Sequence, residues 1–352
     1  MNTSEFLKAL TEASGVSGYE HAVRDIVCAE FASLCDEVST DAMGNVWGIK
    51  RGSPGGKRIM LAGHMDEIGL VVKQIEGHVL RFTQIGGFDV RVLPGQPVWV
   101  HGRETMPGVI GMRPPHVVPA SERNKVLPME DLFVDVGLAA EEIGKYVRVG
   151  DIITLRRGYV ELKNGFASAK AMDDRAGVAA LHHCLQMLQH MHHRWDVYAV
   201  ATVQEEMGLR GAMTSAYGVA PHAAIAVDVT HARTPDVSEL QAVDADKGPG
   251  VARGPNLHPV IYEQLVETAQ KHEIPIQYEA IPGRSGTDAW AIQVSREGVP
   301  TGLLGLPLRY MHTPVETLSL RDVERCGRLM AFFIADLDDA ILDRFKPALP
   351  EE

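Results

Sequence analysis

The chain predicts an α/β sandwich with a small β-barrel inserted into it, and three observations carry that expectation. In the second half, apolar runs of strand length alternate with amphipathic helical patterns, the mark of helices packed on a largely parallel or mixed sheet. Between about residues 70 and 161 helical periodicity nearly vanishes, and short β-like runs alternate with Gly and Pro, as in a small all-β barrel. The helical pattern then resumes. Residues 1–69 and 162–352 are therefore expected to form one domain around the insert, 70–161.

Taken in order, Thr3 and Ser4 can cap a first helix bearing Phe6, Leu7 and Leu10, which Gly15 and Gly18 break. Val23, Ile26, Val27, Phe31 and Leu34 recur at helical spacing, predicting a helix from Glu20 to Leu34. Strands are expected at Asn45 to Ile49 and Arg58 to Ala62, around the turn Ser53-Pro54-Gly55-Gly56. The insert offers β runs at Gly69 to Ile75, Val79 to Thr83, Gln96 to Val100, Gly108 to Gly111 and Asp151 to Leu155. After Arg175 a helix carries Val178, Leu181, Leu185 and Leu188 on one face. Strands at Val197 to Val203, Ala223 to Val227, Ile276 to Ala280 and Gly302 to Leu306 then alternate with helices at Leu209 to Tyr217, Pro259 to Lys271 and Asp288 to Ser295. Ser319-Leu320-Arg321-Asp322 reads as a capping-box-like start of a last helix running towards Arg344.

Composition narrows the function classes. Hydrophobic residues at 45% and charged ones at 23% are ordinary for a globular protein. A net charge of -12 argues against a nucleic-acid partner, which needs clustered Lys and Arg. Cys28, Cys35, Cys184 and Cys326 form no CxxC pair, the N-terminus lacks a signal-like apolar run, and the longest apolar run, Leu329 to Ala335, is too short to span a bilayer. A cytoplasmic protein with no membrane partner is the expectation.

Chemistry gathers around Val203-Gln204-Glu205-Glu206-Met207-Gly208-Leu209-Arg210-Gly211-Ala212, where two adjacent carboxylates close an apolar strand. Such a pair cannot stay ionised in low dielectric unless something positive holds it. The other strand ends match it: Leu61-Ala62-Gly63 leads to His64 and Asp66, Ala224 to Val227 leads to Asp228, and the strand at Gly302 leads to His312. Asp173 and Asp174 open a helix. Each has a bland alternative: a hydrogen-bonded strand-end His, helix-start acids, a turn Asp. Their coincidence at the edge where α/β sheets bind ligands favours a metal site, and His with carboxylate suits zinc, cobalt or manganese. The run His182, His183, His190, His192 and His193 does not stack at helical spacing and reads as a solvated face.

Together, Gly63-His64-Met65-Asp66-Glu67-Ile68-Gly69, Ala171-Met172-Asp173-Asp174-Arg175, Gln204 to Gly211, Asp228-Val229-Thr230 and Met311-His312-Thr313-Pro314 resemble the M42 family of metallo-aminopeptidases, in order and spacing. That family includes glutamyl aminopeptidases and self-compartmentalising tetrahedral aminopeptidases. The Gly286-Thr287-Asp288-Ala289 turn fits as well. The resemblance implies a zinc-exopeptidase-like fold, hydrolysis of the N-terminal residue from short peptides, and two divalent ions per subunit, zinc first and cobalt or manganese as alternatives. It assigns His64, Asp173 and Asp228 to one ion and Asp173, Glu206 and His312 to the other, with Asp173 bridging in preference to Asp174. It makes Glu205 the general base and Asp66 the partner that orients His64. The insert becomes a dimerisation domain from which a tetrahedral dodecamer is built. Arg284, His231 and Lys247 lie in segments expected to border the substrate, so an acidic first residue is a candidate preference. Two rival readings stand beside it: a metal-independent glycoside hydrolase using Glu205 and Asp66, and a catalytically silent scaffold.

Overall fold

The computed structural model describes every residue except 120, 122–124, 236, 239–241 and 347–352. Helices α1 (Thr3–Glu12) and α2 (His21–Phe31) precede strands β1 (Glu37–Thr40), β2 (Val46–Lys50) and β3 (Arg58–His64). Strands β4 (Gly69–Glu76), β5 (Val79–Ile85), β6 (Pro97–His101), β7 (Thr105–Gly111), β8 (Phe133–Asp135) and β9 (Ile152–Leu155) follow, with helix α3 (Ala140–Tyr146) before β9. Next come β10 (Val160–Glu161), β11 (Phe166–Ala169), α4 (Met172–Leu188), β12 (Asp196–Thr202), α5 (Arg210–Val219), β13 (Ala223–His231) and β14 (Gly250–Arg253). The chain ends with α6 (Pro259–Lys271), β15 (Gln277–Ala280), α7 (Asp288–Gln293), β16 (Thr301–Arg309), β17 (Glu316–Ser319), α8 (Leu320–Asp336) and α9 (Ile341–Arg344).

The large sheet is mixed, in the order β1-β2-β12-β3-β13-β16-β17-β11-β10, with β14 and β15 attached through β16. Its centre, β12-β3-β13-β16, is parallel. These strands are apolar on both faces because helices cover both. Leu61, Ile225 and Leu304 pack towards α1, α4 and α8, while Met60, Ala62 and Ala226 pack towards α5 and α7. The second body is a closed barrel, β4-β5-β8-β7-β6-β9, antiparallel throughout. Alternate residues such as Leu70, Val72, Val98, Val100 and Ile153 fill it. Closure leaves no free edge in the barrel. Among the described residues, no helix is long and apolar enough to cross a membrane.

Several local expectations change. The cap of α1 is Asn2, which accepts from Glu5 N at 2.9 Å while Glu5 Oε2 accepts from Asn2 N at 3.0 Å, so the box lies one residue earlier than Thr3. At α8, Ser319 Oγ turns to Asp246 and Asp322 accepts from Asp246 N and Gly248 N, so tertiary partners displace the expected cap. The helix stops at Asp336 and α9 is separate. The histidine run is not a solvated face: His182 and His193 are buried, bonded to Glu30 and to the Trp195 carbonyl, while His190 and His192 are exposed. α4 is buried on nearly every side, which the periodicity of its Leu and Val does not reveal.

Candidate metal centre and active site

The carboxyl ends of β12, β3, β13 and β16 open along one edge of the sheet. His64 is the last residue of β3, in register with Thr202 at the end of β12. Asp228 lies inside β13 and not after it. Pairing of β13 with β3 ends at Ala226, but β16 runs alongside to His231 and keeps the strand going. Asp228 is thus in register with Gly305 across the β13–β16 pair.

Asp173 arrives from the start of α4, where Asp173 and Asp174 have non-helical backbone and the peptide between them is cis. The carboxylate of Asp174 binds main chain: Oδ1 accepts from Gly177 N at 3.0 Å, as a helix cap does, and Oδ2 from His64 N at 3.2 Å. Asp173 is left to face the imidazoles. Its Oδ1 is 3.1 Å from His64 Nε2 and its Oδ2 is 3.2 Å from His312 Nε2. Glu206 Oε1 lies 3.2 Å from the same His312 nitrogen. Of the two neighbouring aspartates, Asp173 is the one that reaches both histidines.

Two overlapping sets of donor atoms result, His64–Asp173–Asp228 and Asp173–Glu206–His312, each with its atoms within 4.8 Å of one another. Imidazole with carboxylate is a donor set for a divalent transition metal. The electrostatics agree with that fit. Burial, with the nearby acids Asp228, Asp288 and Glu206, pushes Glu205 up to about 10. Burial also raises Asp228 and Asp174 far above the usual carboxylate range. Hydrogen bonds to Asp173 and Glu206 push His312 up to about 11. Burial alone would discharge His64, yet Asp173 and Asp66 hold it charged. Without a cation the cluster must therefore be neutralised by protons, and divalent ions are the alternative counter-charge.

Two buried carboxylates brace these loops. Glu316 Oε1 accepts from His312 N at 2.7 Å and its Oε2 from Asp173 N at 3.1 Å, tying two donor-bearing segments together. Asp66 Oδ1 accepts from Glu205 N at 3.0 Å, and its Oδ2 from Glu206 N at 3.3 Å and from Ser17 Oγ at 2.5 Å. Burial opposes the Asp66 charge, but His64, Ser17 and the Glu205 amide hold its pKa below the usual value. Its distance to His64 Nδ1, 3.4 Å, is long for a hydrogen bond, so Asp66 fixes the Glu205–Glu206 loop more firmly than the imidazole. Glu205 belongs to neither donor set, and its Oε2 is 3.9 Å from His64 Nε2. Ala171, Gln204, Tyr310 and His312 have positive φ, a conformation rare for residues with a Cβ and characteristic of over-determined sites.

Sequence reasoning passed over Ser17, Glu20 and Glu316. Ser17 lies in a stretch legible only as a helix break, Glu20 reads only as the start of the next helix, and Glu316, four residues after His312, carries no signal by itself. Asp288, in the turn already noted, is buried and accepts from Thr202 Oγ1 at 2.5 Å. Arg284 is exposed and stacks on Trp290 at 4.3 Å; His231 and Lys247 are exposed. No hydrogen bond or ion pair among the described residues joins these three to the cluster.

Residues 44–329 match the family described as M42 glutamyl aminopeptidase, and residues 2–26 match one described as AMPT. The lysyl aminopeptidase of Pyrococcus furiosus is 36% identical over 95% of this chain and 97% of its own. A TET aminopeptidase from the marine sediment archaeon Thaumarchaeota archaeon SCGC AB-539-E09 superposes with a TM-score of 0.93 at 35% identity, covering 98% of this chain and 99% of that one. The Pyrococcus horikoshii TET1 peptidase, which can assemble into a tetrahedron or a large octahedral shell, superposes at 0.85 with 32% identity, covering 96% and 100%. With the acidic, histidine-bearing sheet edge described above, these likenesses identify the chain as a member of the M42 peptidase family, an aminopeptidase.

Proposed function

We propose that this aminopeptidase is dinuclear, with His64, Asp173 and Asp228 holding one divalent ion, Asp173, Glu206 and His312 holding the other, and Glu205 acting as general base. The observation that carries the reading is the sharing of Asp173 between two donor sets while Glu205 stands outside both. Two bound ions, zinc in preference to cobalt or manganese, would supply a Lewis acid for the scissile carbonyl and lower the pKa of the attacking water. Glu205 Oε2 takes the proton from that water and returns it to the leaving amine nitrogen. Asp66 holds the Glu205 backbone while this happens, and Glu316 holds those of Asp173 and His312. The substrate is a short peptide with a free amino terminus, whose ammonium group suits an acidic site.

The barrel is proposed as the dimerisation domain of a homo-oligomer, built up to a dodecameric shell. Its support is the exposure of Val109, Met112 and Val149, apolar side chains on the insert, and the shells of the TET1 relative. The four free cysteines suit a reducing cytoplasm. A glycosidase needs two carboxyl groups facing each other across a sugar, whereas both Asp66 oxygens are engaged by Ser17 and by the Glu205 and Glu206 amides. The test is metal analysis of the purified protein, with aminoacyl chromogenic substrates assayed before and after chelation. Full activity in a demonstrably metal-free sample would overturn the reading.

A further inference from the structure

The segment Gly15–Glu20, between α1 and α2, runs as a strap along the residues that follow β3. Val16 bridges to Glu67, with Glu67 N donating to Gly15 O at 3.0 Å and Ser17 N to Glu67 O at 3.3 Å. The approach is close enough that a Cβ on Gly69 would meet Val16 Cγ2 at 2.3 Å, so only glycine fits there. Buried charge clamps the strap from beneath. Glu67 accepts from Gly15 N at 2.9 Å and pairs with Lys170 and Arg175, and Arg175 also donates to the carbonyls of Leu10, Ala13 and Met65.

From this clamped base two side chains reach the catalytic loop. Ser17 Oγ donates to Asp66, whose two oxygens receive the Glu205 and Glu206 amides. Glu20, buried immediately before α2, accepts on Oε1 from Gly18 N at 2.7 Å and from Gln204 N at 3.1 Å. Gln204 is the left-handed residue immediately before Glu205, with φ 53°. The strap therefore binds three consecutive amides of that loop, Gln204 directly and Glu205 and Glu206 through Asp66. Within the loop Gly208 and Leu209 donate to Glu205 O, Arg210 to Gln204 O and Gly211 to Val203 O, but the Gln204, Glu205 and Glu206 amides find their acceptors outside it, on Glu20 and Asp66.

We propose that Glu20 and Ser17 are positioning residues for the general base, holding the strained Gln204–Glu205 turn so that the Glu205 carboxylate stays beside the donor sets without entering them. The inference rests on the reading of Glu205 as base. Neither residue donates to the metal sets or meets the reacting atoms, so the effect belongs in kcat, and metal content and KM should hold. Misplacing a catalytic group by about 1 Å can cost on the order of 10²-fold. Glu20→Ala, which loses both acceptor bonds, is expected to lower kcat about 10- to 100-fold, with two metals retained and KM within about threefold. Glu20→Gln keeps an oxygen in the same place and should recover most of that loss. Ser17→Ala, an independent part of the strap, should lower kcat in the same manner while leaving thermal unfolding cooperative.

The experiment measures kcat, KM, bound metal and unfolding for these three variants beside Glu205→Gln. A folded, metal-replete Glu20→Ala with wild-type kcat would overturn the inference, as would a loss of kcat that follows loss of metal. An inactive Glu205→Gln beside fully active strap variants removes the strap inference alone. A fully active Glu205→Gln beside impaired strap variants removes the base assignment and keeps the strap as the element that positions the loop.

Discussion

Replacing Glu205 by Gln separates the two adjacent glutamates by function. The substitution changes one oxygen for an amide nitrogen in a side chain that is 8% exposed, so it leaves neither a cavity nor an overpacked contact. The Glu205 contact with Asp66 is made by its backbone N–H, at 3.0 Å, and survives the change. Burial already favours a neutral carboxyl there in the metal-free chain, so a neutral amide should not weaken folding. What disappears is the capacity to carry a proton. Removing a positioned acid–base group typically costs about 10²–10⁴-fold in rate, or roughly 3–5 kcal/mol of barrier. The variant should hold two metal ions, bind a product-like inhibitor as the parent does, and lose kcat by that factor. Glu206→Gln should instead lose an ion, because its carboxylate stands 3.2 Å from His312 Nε2 within the second donor set, and excess metal should restore part of its activity. Metal content by elemental analysis, with kcat over a metal titration, decides between them. If raised metal rescues Glu205→Gln and not Glu206→Gln, base and ligand are exchanged and the reasoning fails.

Chelation should abolish turnover and lower the unfolding temperature together, since an ion bound at 100 times its Kd adds about 2.7 kcal/mol to the native state; an unchanged melting curve after complete metal removal would count against tightly held ions. An N-acetylated peptide should be turned over far more slowly than its free-amine counterpart, and equal rates would point to endopeptidase chemistry. Glu67→Gln leaves Lys170 and Arg175 buried without their counter-charge and should destabilise the fold by about 3–5 kcal/mol in denaturant unfolding, so a shift under about 1 kcal/mol would refute the account of that clamp. Burial pushes Glu20 up to about 7, so the folded chain holds a proton there that the unfolded chain releases above about 4.5. The sign follows: this group's contribution to stability is greatest below pH 4.5, is lost as pH rises from about 4.5 to about 7, and changes no further above that. Glu20→Gln should flatten that part of the stability–pH curve, and a curve parallel to the parent's would contradict it.

The sequence by itself determined the sandwich and the insert, and it marked the candidate residues of the site. Strand-length apolar runs and helical periodicity are local signals, set by which faces of each element must be buried, so α6 is found at Pro259–Lys271 as its pattern predicts. Candidate site residues are legible for a related reason, because His and acids at the mouths of apolar strands are costly unless something uses them. Tertiary structure alone decided which atoms meet. Asp173 and Asp174 are equivalent in composition, and only the fold turns one towards two imidazoles and the other onto the backbone of Gly177 and His64. The burial of His182 likewise depends on Glu30 and Phe6, which approach it from distant parts of the chain. Ser17, Glu20 and Glu316 were silent for the same physical reason: Ser17 donates to the Asp66 carboxylate, Glu20 accepts from Gln204 N and Glu316 from Asp173 N, and a hydrogen bond to a partner far away in sequence leaves no period, spacing or composition to be read.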